Sequence, residues 1–192
     1  MIIDCMGLPC PKPVINTRNA IESIDVNETI CVLVDNEIAT ENLSKFCEQT
    51  NCKFSIEKKS DKEFLFYLTK GEEIKKFDVN KESDEFIAVV IDSDVMGKDE
   101  VIGKKLMEMY IYTLGESKII PNAILFYNSG IFLTTKNDKT IEDLKKLISR
   151  GVKVYSCGAC LDFFNEKLQV GEVTNMLFIS DTMLKANKLI RI

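Results

Sequence analysis

Histidine is absent from the 192-residue sequence, and its absence excludes several kinds of catalytic site. Without an imidazole the chain cannot form a Cys–His nucleophile pair, a Ser–His–Asp triad or a zinc site with a histidine ligand. Any catalysis must therefore use thiols activated by backbone electrostatics, carboxylates or a partner protein. Proline is also scarce, since the chain has four, and three of them fall between positions 9 and 13.

The sequence also lacks long apolar runs and a surplus of basic residues. No run approaches the length of a membrane-spanning helix, and an N-terminus interrupted by Asp4 and then by glycine and proline does not match a signal peptide. The net charge is −5, and acidic residues outnumber basic ones in residues 1–70 and again in residues 71–192. We therefore expect no nucleic-acid or membrane partner. Seven cysteines, an odd number, fit a reducing cytoplasm better than a disulfide scaffold.

The order of predicted elements divides the chain into two α/β domains. Residues 1–70 follow the order βαβαββ, which predicts a two-layer sandwich with two helices on one face of a four-stranded sheet. Residues 71–84 are charged and aperiodic, and we interpret them as a linker. Residues 85–192 alternate strands with helices, which predicts a three-layer domain whose parallel sheet is covered on both faces.

Hydrophobic periodicity predicts the individual elements and their buried faces. In the first domain we expect strands over residues 1–4, 28–35, 53–59 and 63–69, a helix over 11–24 that buries Val14, Thr17, Ala20, Ile21 and Ile24, and a helix over 38–50 that buries Ile38, Leu43, Phe46 and Cys47. In the second we expect a helix over 99–114, closed by Gly115, that buries Ile102, Leu106, Met109 and Tyr110. The remaining elements are extended segments over 86–91, 123–127, 131–135, 152–156 and 188–192, a helix over 141–150 capped by Thr140, and helices over 161–167 and 175–187.

The first candidate site is Cys10, in the segment Asp4-Cys5-Met6-Gly7-Leu8-Pro9-Cys10-Pro11-Lys12-Pro13. Pro11 suits the first turn of a helix, where its missing N–H is not needed, and Pro9 disfavours an earlier helix start. Cys10 is therefore expected at the N-cap, where the helix dipole and unpaired N–H groups favour the thiolate. Pro11, Lys12 and Pro13 shape this site, and Lys12 adds positive charge nearby.

A cysteine is more commonly a small buried hydrophobic residue than a nucleophile. The Pro-Cys-Pro-Lys-Pro setting favours the nucleophile for Cys10. Three other cysteines of the first domain, Cys5, Cys47 and Cys52, are interpreted as packing residues because they lie beside a predicted strand or at a helix end, and Cys31 lies inside a predicted strand.

The second candidate site is the pair Cys157 and Cys160, in a Cys-Gly-Ala-Cys turn that follows a predicted strand and opens a helix. Ligand chemistry in parallel sheets gathers at the carboxyl ends of strands, and one thiol of such a turn can be stabilised by the other. Thiol-based sulfur chemistry, a redox disulfide, a metal site and plain packing all stay open. A zinc site would need Cys5 and Cys10 of the other domain as further ligands, and Cys10 could then not act as a nucleophile. We therefore expect no metal, and the proposed thiol chemistry needs no organic cofactor.

Both domains resemble known families. Residues 1–70 resemble the TusA/SirA-like sulfur carriers through Asp4, Gly7, Cys10-Pro11-Lys12-Pro13, Val34-Asp35-Asn36 and Ala39. The resemblance implies that Cys10 carries a persulfide. Residues 85–192 resemble DsrE-like domains through residues 126–130, 157–162 and 171–176. That likeness implies self-association into a homo-oligomer, and the order of the two domains resembles YedF-type proteins of selenium metabolism.

These observations favour an intracellular relay of sulfur or selenium. We expect the Cys10 thiolate to attack the terminal atom of a donor persulfide, as on a cysteine desulfurase, and to pass it to Cys157 or Cys160. The linker would raise the effective concentration for this transfer, and a downstream acceptor protein would take the atom. The alternative is a non-catalytic redox-sensing or regulatory module, in which the cysteines form a reversible disulfide and accept no persulfide.

Overall fold

The computed structural model describes residues 1–72 and 85–192, which form two compact units. Of the predicted linker over 71–84, residues 73–84 lie outside the described residues. In the described part of the chain, no helix is long and apolar enough to span a membrane.

The first unit is a four-stranded sheet with two helices. Its strands are β1 (Ile2–Asp4), β2 (Thr29–Val34), β3 (Lys53–Ser60) and β4 (Glu63–Thr69), and its helices are α1 (Lys12–Glu22) and α2 (Glu37–Thr50). The spatial order is β1-β2-β4-β3, with β1 parallel to β2 and the other pairings antiparallel. The order along the chain is the predicted βαβαββ.

Alternating apolar residues place the core of the first unit on the helix-bearing side of the sheet. Strand β4 buries Phe64, Phe66 and Leu68 and leaves the residues between them partly exposed. These side chains belong to one cluster with Ile21 of α1 and Leu43 of α2. An alternating strand buries one face because successive side chains point to opposite sides of the sheet. The predicted two-layer sandwich is therefore confirmed.

The predicted buried face of α2 is correct at Leu43, Phe46 and Cys47 and wrong at Ile38, which is 68% exposed. Ala39 is buried in its place, because residues 39, 43, 46 and 47 follow the helical spacing and residue 38 does not. Helix α1 buries Thr17 and Ile21 as predicted, whereas Val14 and Ala20 are only partly buried against the core. Ile24, predicted to end this helix, lies beyond its last residue and is also partly buried. Pro13 and Ile15 are the further buried residues of α1.

The second unit is a five-stranded sheet in which every pairing is parallel. Its strands are β5 (Ile87–Ile91), β6 (Ala123–Phe126), β7 (Lys153–Cys157), β8 (Glu172–Thr174) and β9 (Lys188–Arg191), in the order β8-β7-β6-β5-β9. Its helices are α3 (Glu100–Glu116), α4 (Phe132–Thr135), α5 (Asp138–Ser149), α6 (Gly158–Phe164) and α7 (Met176–Lys185), with a short 3₁₀ helix at Asn128–Ile131.

Both faces of this sheet are covered, which confirms the predicted parallel-sheet architecture. On one face, side chains of β5 and β6 pack with residues of α3 and α5, among them Met107 and Leu144. On the other face, Val90 and Leu125 pack with Ile179 of α7 and with Cys157. A strand buried on both sides is a near-continuous apolar run, as β5 and β6 are.

The buried stripe predicted for α3 is wrong at Ile102 and Leu106, whereas the predicted Tyr110 is partly buried against the core. Ile102 and Leu106 are exposed, and Gly103, Met107 and Ile111 are buried instead. The helix also continues past Gly115 to Glu116, with Ser117 as its C-cap. Each of these buried residues is preceded along the chain by an apolar one, namely Ile102, Leu106 or Tyr110, so periodicity alone does not single out the face that contacts α5.

Three further differences concern the elements around the second sheet. Residues 131–135 were expected to be extended but form the end of the 3₁₀ helix and α4, where the Thr134 and Thr135 hydroxyls donate to the Ile131 carbonyl at 2.8 and 3.1 Å. Helix α5 is capped by Asn137, whose side chain accepts from the Thr140 N–H, and not by Thr140. Strand β8 was not predicted, because a three-residue edge strand carries little periodic signal.

Candidate functional site

Cys10 is exposed and lies directly before helix α1. The sequence had predicted Cys10 as the N-cap of α1, but the N-cap is Pro11. The Pro11 carbonyl accepts the first helical hydrogen bonds, from the N–H groups of Val14 and Ile15 at 3.1 and 3.2 Å. The Cys10–Pro11 peptide bond is cis. The thiol therefore sits one residue outside the helix, at the end of a surface loop.

The expected unpaired N–H groups at the start of α1 are not present among residues 11–15. Pro11 and Pro13 carry no N–H, and the Lys12 N–H donates to the Pro9 carbonyl at 3.0 Å. The positive end of the α1 dipole lies next to Cys10, and the first turn of the helix contains no acidic residue.

The loop before Cys10 is tied to the end of strand β2. The Gly7 N–H donates to Asp35 Oδ2 at 2.9 Å, and the Met6 N–H donates to Asp4 Oδ1 at 3.0 Å. Gly7 has a φ of +69°, a conformation that a residue with a Cβ adopts only with strain. Two acidic residues and a glycine thus fix the path of the chain toward Cys10.

Asp35 is in turn oriented by its neighbour Asn36. The Asn36 side-chain amide donates to Asp35 Oδ1 at 2.6 Å, while its own Oδ1 accepts from the Ala39 N–H at 2.8 Å and caps helix α2. The bonds from Asn36 and Gly7 lower the pKa of the Asp35 carboxyl below its ordinary value. The motif residues Asp4, Gly7, Asp35 and Asn36 therefore form a hydrogen-bonded support for the Cys10 loop, a role that sequence spacing alone did not show.

In the second unit, Cys157 and Cys160 lie together at the carboxyl end of the parallel sheet. Cys157 ends strand β7 and is the N-cap of α6, so the helix starts at Gly158, three residues earlier than predicted. Cys157 is 2% exposed, whereas Cys160 is partly exposed and packs against the cluster that contains Cys157. The structure brings these two predicted residues into one site.

The Cys160 sulfur is held by the neighbouring strand connection. The backbone N–H of Asn128, two residues past the end of β6, donates to Cys160 Sγ at 3.1 Å. Asn128 adopts a left-handed φ of +51°, which turns the chain into the 3₁₀ helix there. Burial raises the pKa of the Cys160 thiol, contact with Cys157 raises it further, and the Asn128 N–H opposes both effects.

An apolar surface borders this dithiol. Tyr127, Tyr155 and Met183 are partly buried against the cluster of Val90, Leu125, Cys157 and Ile179. A pocket of about 350 Å³ is lined by Tyr127, Met176, Ile179, Ser180, Met183 and Leu184. Because it shares Tyr127, Ile179 and Met183 with the surroundings of the cysteines, the pocket lies beside the Cys157–Cys160 pair.

The remaining cysteines of the first unit are all buried, as predicted for Cys5, Cys47 and Cys52, and Cys31 is buried as well. Burial raises the pKa of Cys5 and Cys31, and it raises the pKa of Cys47 to about 12. Such thiols are poor nucleophiles because a sulfur on another molecule cannot reach them in the folded protein. Within residues 1–72 and 85–192, no group of three or more Cys, Asp or Glu side chains is arranged to hold a metal ion.

Comparison with protein families and solved structures gives several matches. A family model described as sulfurtransferase TusA matches residues 1–70. A SirA-like protein from Desulfitobacterium hafniense is 34% identical over a match that covers 38% of this chain and 100% of that chain, with a TM-score of 0.35.

Two further solved structures match a larger share of the chain at lower identity. The ychN protein from E. coli is 15% identical, with 56% of this chain and 99% of that chain covered and a TM-score of 0.44. A conserved protein of unknown function from Bacteroides thetaiotaomicron is 12% identical, with 56% of this chain and 95% of that chain covered and a TM-score of 0.41.

Proposed function

Through residues 1–70 the chain belongs to the TusA sulfurtransferase family, and we propose that it carries a sulfur or selenium atom on Cys10 and passes it to the Cys157–Cys160 pair. Carriers of this family generally take sulfur from a donor and pass it on to acceptors. The observation that carries the proposal is the contrast among the cysteines of the first unit. Cys10 is exposed at the end of a supported loop, while the other four are buried.

The proposed first step is thiol exchange at Cys10. Its thiolate attacks the outer atom of a donor persulfide, the donor thiolate leaves, and Cys10 becomes the persulfide. The rate depends on access as much as on thiolate fraction, because the attacking sulfur must reach a sulfur held on another protein. A cysteine desulfurase is the proposed donor class, since such an enzyme holds a protein-bound persulfide.

The proposed second step transfers the atom to the second unit, in the same chain or in a neighbouring copy. Joining donor and acceptor in one chain raises their effective concentration. The partial exposure of Cys160 and the bordering pocket support an acceptor site there. The resemblance to DsrE-like domains and to YedF-type proteins supports self-association and a role in selenium metabolism. A downstream acceptor protein and a reducing, cytoplasmic setting complete the proposal.

Intact-mass measurement tests the first step. The reduced chain is incubated with a cysteine desulfurase and cysteine, and in a parallel reaction with selenocysteine. With Cys157 and Cys160 both changed to serine, so that the atom cannot leave Cys10 for the second unit, the chain should gain one chalcogen atom. The same chain with Cys10→Ser should gain none, and the same chain with the buried-cysteine control Cys52→Ala should still gain one. An adduct of equal yield on Cys10→Ser would contradict the proposal.

The contact between Cys160 and the Cys157 cluster also favours a second candidate function, a thiol redox sensor. A sensor would lose two hydrogens under mild oxidant and would accept no chalcogen from the desulfurase. The same mass measurement separates the two functions, because disulfide formation and persulfide formation change the mass in opposite directions.

A further inference from the structure

The two thiols of the Cys157–Cys160 pair differ in their exposure to solvent, and this difference determines which of them can react first. Cys157, the first thiol along the chain, is 2% exposed and packs with Val90, Leu125 and Ile179. Cys160, the second, is partly exposed. A sulfur bound to another protein or to another unit can therefore be reached by Cys160, with Cys157 lying behind it.

Cys160 is also the thiol that has a polar partner from a different part of the fold. The Asn128 N–H donates to its sulfur at 3.1 Å, from the connection after β6. A backbone N–H stabilises a thiolate and fixes the position of the sulfur. Exposure and this hydrogen bond together assign the first attack to Cys160.

We propose that the pair is a reductive release site, in which Cys160 accepts the outer sulfur and Cys157 then displaces it as hydrosulfide. The proposal rests on the proposed function, because it assigns the fate of the atom delivered from Cys10. It adds an activity, the conversion of sulfane sulfur to sulfide, to the carrier role.

The two steps balance in atoms and electrons. The Cys160 thiolate bonds to the outer sulfur of the incoming persulfide, the S–S bond of the donor breaks, and the donor leaves as a thiolate. Cys157, after losing its proton to solvent, bonds to Cys160 Sγ, and the bond from Cys160 to the outer sulfur breaks. The electron pair leaves with that sulfur as HS⁻. The two cysteine sulfurs are oxidised to a disulfide while the sulfane sulfur is reduced to sulfide.

The disulfide must be reduced before another turnover. A cellular dithiol reductant of the thioredoxin class supplies the two electrons and two protons by a further thiol–disulfide exchange at the more exposed sulfur, Cys160. The same steps written with selenium in place of the outer sulfur release hydroselenide.

The test uses the full-length chain with Cys10→Ser, so that loading of the second unit does not depend on Cys10. The reduced protein is mixed under argon with glutathione persulfide, and sulfide and intact mass are both measured. With Cys157 and Cys160 present, we expect one sulfide per chain and a protein that has lost two hydrogens.

Two added substitutions separate the roles of the thiols. Replacing the buried thiol (Cys157→Ala, with Cys157→Ser as a second variant should alanine not fold) should leave one sulfur retained on Cys160 and lower sulfide release at least tenfold, or about 1.4 kcal/mol of barrier. Cys160→Ser should retain no sulfur and release no sulfide. Far-UV circular dichroism confirms that each variant is folded.

Three results would overturn the proposal. These are a stable persulfide on Cys160 when Cys157 is present, sulfide release that survives Cys160→Ser, and a glutathione adduct in place of the retained sulfur in the Cys157 variants. Failure of the desulfurase to load Cys10 would reject the proposed carrier function but would not affect the sulfide-release test, because the donor in that test is a small molecule.

Discussion

The backbone N–H of Gly7 donates to the carboxylate of Asp35 at 2.9 Å and joins the loop that leads to Cys10 to the end of strand β2. Asn36 holds the other oxygen of the same carboxylate. Because these bonds are made to the charged form, the pKa of Asp35 is lowered in the folded protein. The Cys10 loop is thus positioned by a carboxylate 25 residues further along the chain.

Removing that carboxylate should impair Cys10 without unfolding the domain. Asp35→Ala leaves the Gly7 N–H without its acceptor, so the loop samples more conformations and persulfide loading of Cys10 should slow several-fold. Asp61→Ala is the matched control, since the Asp61 side chain is 96% exposed and pairs with Lys58 across a turn. Desulfurase-dependent loading rates by intact mass check this, and equal rates for the two variants would show that the support is dispensable.

The pH dependence of Cys160 should differ from that of an ordinary thiol. Because burial and Cys157 raise its pKa, Cys160 is more protonated at a given pH, and its alkylation should begin at higher pH than that of a thiol free in solution. Cys157→Ala removes one cause of the rise, so the alkylation profile of Cys160 should shift to lower pH. Iodoacetamide rates followed by peptide mass spectrometry measure both profiles, and a shift in the opposite direction would contradict this electrostatic account.

Helix α3 offers a neighbouring pair for testing the packing of the second core. Met107 is fully buried, whereas Leu106 is 37% exposed. Met107→Ala should lower the free energy of unfolding by about 2–5 kcal/mol through lost burial and a cavity, and Leu106→Ala should lower it by less than about 1 kcal/mol. Urea denaturation measures both values. A larger loss of unfolding free energy for Leu106→Ala than for Met107→Ala would indicate that the face predicted from periodicity is the buried one.

Glycine at position 130 lets the turn that carries Asn128 approach strand β5. A Cβ there would lie 2.3 Å from the Ile91 carbonyl oxygen, so Gly130→Ala must shift the turn and disturb the Asn128 N–H bond to Cys160. The expected result is loss of stability together with a changed alkylation rate of Cys160. Gly115→Ala is the control, because a Cβ at position 115 meets nothing within 4 Å. Alanine also has a higher helix propensity than glycine. It should stabilise the protein slightly or leave it unchanged.

Much of the fold could be predicted from local patterns. Strand β4 has the predicted bounds, and its alternation of buried and partly exposed residues follows directly from Phe64, Phe66 and Leu68. The order of strands and helices along the chain was sufficient to predict the architecture of both units, because βαβ connections favour parallel neighbouring strands. The face of α3 was missed because adjacent apolar residues such as Leu106 and Met107 make two stripes equally plausible without knowledge of the neighbouring helix.

The candidate sites were predictable as segments but not as geometry. Proline spacing located the Cys10 loop, yet the satisfied N–H groups and the cap at Pro11 depend on hydrogen bonds among residues 9–15 that spacing does not specify. Likewise, the Cys-Gly-Ala-Cys turn marked the second site. That Cys160 is the accessible thiol depends on the packing of Cys157 against Ile179 of α7, which lies 22 residues further along the chain.

In the proposed relay, the atom passes through Cys10 before it reaches the second unit. A single-turnover chase with ³⁵S-cysteine and a cysteine desulfurase tests this order of transfer. The label is measured over time on the Cys10 peptide, on the Cys157–Cys160 peptide and as released sulfide. In a relay through Cys10, label appears first on Cys10 and then on the pair or as sulfide, and the Cys10→Ser chain carries no label on the pair. Labelling of the pair at an undiminished rate in Cys10→Ser would contradict the relay.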